Sequence, residues 1–145
     1  MKSTTLRSLF RLRQYQFECE QWKLNKKQVE AMKITESMER TAELLHQQSE
    51  AIVALKSLSE KSQAYRFIEE VKTSYELDSR RLKVAQHEIE AQMLVLLEQQ
   101  KKKEMMQHLL DKAIEADHLE EERQERLVMD DLAKNRTGTL SWEIL

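Results

Sequence analysis

The chain keeps one position apolar at strict seven-residue spacing through its first third: Phe10, Phe17, Leu24, Ala31, Met38, Leu45 and Ile52. Such a period, with charged and amide residues between the hits, belongs to a helix that lays one narrow stripe against another helix. The positions three residues further on are apolar only in places, Ile34 and Leu55 against Arg13, Glu20, Lys27 and Gln48. A second stripe of Leu12, Tyr15, Cys19, Trp22 and Val29 widens the apolar face of the N-terminal half. Either it packs on a second helix or it is a binding face for another protein, since aromatics are common interface anchors. Sevens recur downstream at Ile68, Tyr75, Leu82, Ile89 and Leu96, with Val71 and Ala85 as partners and Asp78 and Gln92 as polar interruptions. Met106, Leu110 and Ala113 or Ile114 prolong that series.

These stripes predict an all-α fold, two long helices forming an antiparallel coiled-coil hairpin over residues 1–136. The helices are expected over 5–58 and 63–135, with the turn at 59–62. Ser57, Ser59 and Ser62 supply the turn signal, because serine side chains compete with helical hydrogen bonds and favour caps. A helix running unbroken through this point would be about 190 Å long, which an isolated chain cannot stabilise. Ser3, Thr4 or Thr5 is expected to cap the first helix. From Glu115 to Asp131 the apolar residues thin out among carboxylates. Gly138 is expected as a left-handed stop, followed by a short mobile tail, 137–145, that contains Trp142.

Composition narrows the class. The 145 residues include no proline and one glycine, with 40% hydrophobic and 34% charged residues, and the mean hydropathy is -0.72. This is too polar for a thick globular core and too periodic for a disordered chain. A formal net charge of -2 makes no case for nucleic acid as a partner. Cys19 stands alone, which excludes an intrachain disulfide and fits a reducing compartment. The start carries no signal-peptide core, and the longest strongly apolar stretch, Met93 to Leu97, is too short for membrane insertion. A cytoplasmic protein is expected.

Charge is also expected to favour the antiparallel arrangement. Residues 1–33 hold eight Lys/Arg and three Asp/Glu, whereas residues 111–133 hold three and nine. A turn near Ser59 would set these segments side by side. The second helix also outlasts the first, so that about 20 residues project beyond residue 112.

Enzyme chemistry finds no support, and no catalytic residue, metal site or cofactor is expected. The single glycine, Gly138, excludes a phosphate-cradling loop. His46, His87, His108 and His118 are scattered, and Glu120-Glu121-Glu122 and Lys101-Lys102-Lys103 read as solvated faces. Asn135-Arg136-Thr137 matches a glycosylation sequon by chance.

Three segments carry a resemblance. The start, Leu6-Arg7-Ser8-Leu9-Phe10-Arg11-Leu12-Arg13 with Phe17-Glu18, resembles the opening of the FliJ family of flagellar export proteins. Tyr65-Arg66-Phe67-Ile68-Glu69-Glu70-Val71 is similar to the start of that family's second helix. Glu121 to Arg136, closing in Asp130-Asp131-Leu132-Ala133-Lys134-Asn135-Arg136, resembles its charged C-terminal run. The resemblance implies a coiled coil like the central stalk of rotary ATPases, at the cytosolic face of the inner-membrane export apparatus, in flagella or in virulence injectisomes. It implies that Leu6, Arg7, Leu9, Arg11, Arg13, Asp131, Leu132 and Arg136 contact a hexameric export ATPase. The export gate, a membrane protein, would meet Phe67, Val71, Ser74 and Asp78; of these only Phe67 and Val71 match the family well. Export chaperones are further partners, and an elongated monomer is expected for the free protein. The alternative is a generic scaffolding coiled coil that forms a dimer.

Overall fold

The structure, a computed structural model, describes residues 2–144, with side chains for residues 2–136. Helix α1 spans Ser3–Ala51, a single 3-10 turn spans Ile52–Ala54, and helix α2 spans Leu58–Ile144. The two helices pack against each other as a hairpin. The chain divides into two compact units, Met1–Phe17 with Gln99–Leu145 (unit 1) and Glu18–Glu98 (unit 2). Each unit pairs a piece of α1 with a piece of α2.

The helix ends differ in place from the expectation. The Leu6 amide donates to the Lys2 carbonyl at 3.2 Å, so Lys2 stands at the N-cap and Ser3, Thr4 and Thr5 fall inside the first turn. There the Ser8 hydroxyl donates to the Thr4 carbonyl. At the other end of α1 the Leu55 amide closes the 3-10 turn on the Ile52 carbonyl, and Leu55 itself is extended at φ -74°, ψ 134°. The Ser57 carbonyl accepts from the Lys61 amide at 3.1 Å, which makes Ser57 the cap residue of α2. The chain therefore reverses over residues 55–57, not 59–62, and α2 begins at Leu58, not near Gln63. The contact is made by the Ser57 backbone, and Ser59 and Ser62 lie in the opening turns of the helix. β-branched Ile52 and Val53, which are weaker α-helix formers, sit where α1 gives way to the 3-10 turn.

Gly138 does not stop α2. It lies within the helix, and no glycine among the described residues has positive φ. Glycine permits a left-handed cap without requiring one. The expected tail, with Trp142, lies outside the residues whose side chains are described.

The core is one thin seam. In unit 2 the buried apolar residues are Leu24, Ile68 and Val71; in unit 1 they are Leu6 and Leu110. The sevens of α1 line the seam, and so do the polar positions three residues on: Arg13, Glu20, Lys27 and Gln48 are all half-buried. Long polar side chains fit such a seam because their apolar stems can be covered while the charged heads reach water. In unit 1, Lys103 on the seam side of α2 sets its Nζ 4.5 Å from the Phe17 ring centre, a cation–π contact. Unit 1 also carries a cost, since Gln99 Oε1 is buried with no hydrogen-bond partner among the described residues.

Of the second apolar stripe of α1, Cys19 is half-buried, while Leu12, Tyr15, Trp22 and Val29 are exposed. Trp22 is 64% exposed and Tyr15 65% exposed, both at the heptad place opposite the seam. Leu24→Ala should therefore destabilise the protein by about 2–3 kcal/mol, whereas Trp22→Ala should change stability by less than about 0.5 kcal/mol. Urea unfolding of the two variants, followed by helical circular dichroism, checks both values.

Candidate functional site

Within unit 2 polar contacts that join the helices interrupt the seam, at Gln92 and at Asp78. Gln92 is the buried polar residue. Its Nε2 donates to the Glu20 backbone carbonyl at 3.0 Å and to Glu20 Oε2 at 2.5 Å. Glu20 Oε1 also pairs with Lys23 at 3.1 Å. The second contact runs from the Ser37 hydroxyl to Asp78 Oδ2 at 3.1 Å, with Arg81 3.7 Å from the other carboxylate oxygen. Asp78 and Gln92, the expected interruptions, are thus satisfied polar members of the seam.

These contacts hold the Glu20 carboxyl below its ordinary value, first through the Gln92 amide, then through Lys23. Charge-favouring hydrogen bonds of this kind lower a carboxyl pKa and outweigh desolvation, which acts the other way. The sign follows: a native pKa below the unfolded one stabilises the fold above the unfolded value, and the contribution disappears as pH falls through the native value.

The expected gate-binding group does not form one surface. Phe67 and Ser74 are exposed beside the seam, but Val71 is only 8% exposed and Asp78 is engaged by Ser37. Val71 and Asp78 occupy seam positions seven residues apart, so both face α1 and are unavailable to a partner. What α2 does present in unit 2 is Leu77, Val84 and Ala91, again at sevens, followed by Met93 and Leu94. That series is legible in the sequence as a second heptad stripe, but it was masked by the stronger one beside it. On α1 the same unit presents Trp22 and Val29, with Lys26 Nζ 5.4 Å from the Trp22 ring centre.

The expected ATPase-binding group is divided too. In unit 1, Leu6 is only 6% exposed, and Leu9 and Arg13 are half-buried. Arg13 donates to Gln16 Oε1 at 3.2 Å. Arg7 and Arg11 are exposed, as are Asp131, Leu132 and Arg136. The two sets do not meet. The seam ends at Ala113, and residues 114–136 are exposed except for Glu122, which is half-buried. Asp131 lies about 27 Å further along the helix than Ala113 at 1.5 Å per residue.

The charge expectation fails for the same reason. The stretch of α2 facing the basic start of α1 is the lysine-rich 99–113, and the carboxylates of 115–131 lie past the point where α1 begins. Beyond Ala113 unit 1 is a single helical arm, held by local pairs such as His118–Glu122 and Glu120–Arg123.

Among the described residues no group of His, Cys, Asp and Glu is arranged to hold a metal ion, and no helix is long and apolar enough to cross a membrane. The surfaces on offer are helix faces. No protein-family model matches this chain, and no curated protein and no solved structure is significantly similar to it.

In a carboxyl-resolved NMR titration Glu20 should ionise below the usual glutamate range. Gln92→Leu should move it upward and flatten the fall in stability on acidification. An unmoved Glu20 would assign the shift to Lys23 instead.

Proposed function

We propose that this protein is a non-enzymatic, stalk-like component of a bacterial flagellar or type III protein-export apparatus, acting at the cytosolic face of the inner membrane. In this reading it engages a hexameric export ATPase with the open end of the hairpin and contacts the export gate from the side of α2. It also assists the handling of export chaperones. The observation that carries the reading is the arm of unit 1. A single helix continuing past a two-helix seam has its whole circumference free and is narrow enough to enter a ring. The three-segment resemblance supports the same assignment, and Arg7, Arg11, Asp131, Leu132 and Arg136 are exposed as partner contacts need to be.

The gate contact is assigned to Phe67 and Ser74 with the neighbouring Leu77 and Val84, in place of Val71 and Asp78, whose side chains serve the seam. Paired helices suit a coupling role because packed side chains resist bending and twisting better than a lone helix does. A scaffolding role is the second reading; the outward Trp22 and Val29 favour it, since a scaffold needs a lateral binding face.

Adding the purified protein to an export ATPase of the flagellar or injectisome type should raise ATP turnover per subunit and lower the concentration at which hexamers form. Turnover and assembly that are both unaffected would rule out the ATPase assignment and leave the scaffold.

A further inference from the structure

The two parts of unit 1 carry opposite charge that the molecule cannot bring together by itself. Residues 2–17 hold Lys2, Arg7, Arg11 and Arg13 and no acidic residue, and the facing stretch 99–113 adds four lysines against Glu104 and Asp111. The arm, residues 114–136, holds eight carboxylates against four Lys/Arg. The arm continues α2 as an unbroken helix, and its residues past Ala113 are exposed and not packed on the basic start of α1. It also exposes Leu127, Val128, Met129 and Leu132, with Met129, Leu132, Ala133 and Arg136 lining a surface recess. The basic end exposes apolar residues of its own, Leu12 and Met105 among them.

We propose that the basic end of unit 1 docks the acidic arm of a second copy of this chain, each copy serving the other in a two-fold dimer. The dimension fits: the arm is about 34 Å long and Ser3–Phe17 about 22 Å, so an arm can run along the entire basic segment of α1. The two-fold arrangement is closed, because both arms and both basic ends are used once. Exposed charge pairs are screened by salt, so the association is strong in dilute buffer and weak in concentrated salt. The inference stands apart from the export reading and replaces the expectation of a free monomer.

Sedimentation equilibrium on the full chain tests it. A dimer is expected at about 0.05 M salt and a monomer at about 0.5 M. Two variants reverse exposed charges on the two sides, Arg7→Glu with Arg11→Glu, and Glu121→Lys with Glu125→Lys and Asp131→Lys. Each should be helical by circular dichroism and monomeric in dilute buffer. Mixed in equal amounts, they should regain a dimer, since each then finds both complements on the other. A full chain that is monomeric at low salt overturns the proposal. So does a dimer that survives in either variant, which would point to another face such as that of Trp22. A mixture that stays monomeric overturns it equally. None of these outcomes depends on an ATPase.

Discussion

Each helix has a single narrow stripe to bury, and the only thing long enough to bury it is the stripe on the other helix. Helices in water draw most of their stability from such pairing and little from intrinsic propensity. With few fully buried apolar side chains in either unit, the hairpin depends on many partly covered residues in sequence along the seam. Its strength is distributed along the seam, and no large side chain among the described residues is fully buried.

The large apolar side chains that the described residues leave exposed lie on helix surfaces turned away from the seam and on the arm where the seam has ended. Unit 2 offers outward apolar residues on both helices, and unit 1 offers a lone acidic helix beside a basic two-helix end. Apolar anchors set among charges are the features through which helix surfaces associate, with specificity from their spacing.

The fold was legible because its determinant is linear. Phe10 through Ile52 declare the α1 side of the seam by spacing alone, and Ile68, Leu82, Ile89 and Leu96 the α2 side, whereas Tyr75 at the same spacing is exposed; the scarcity of turn residues leaves few places to reverse. Local boundaries were less legible. Three serines within six residues offered equivalent caps, and only the backbone distinguishes Ser57 from Ser59 or Ser62. Gly138 misled because a residue that tolerates a left-handed conformation need not adopt one. The candidate contacts were the least legible. Val71 and Asp78 share the spacing of a surface motif and of a seam, and sequence periodicity does not tell which side of α2 turns inward until both helices are placed. The charge argument failed on alignment, since opposite signs in two segments mean little until it is known which residues lie abreast.

Apolar residues spaced by seven have an ambiguity of their own: slide one helix by a heptad and Leu, Ile and Phe still meet Leu, Ile and Phe. The amide of Gln92 on Glu20 and the hydroxyl of Ser37 on Asp78 remove it. Displaced by one heptad, Gln92 would meet Arg13 or Lys27 in place of the Glu20 carboxylate, and the hydrogen bond between Ser37 and Asp78 would be lost. The two contacts act as detents spaced along an otherwise smooth track, so a longitudinal push on one helix carries the other with it.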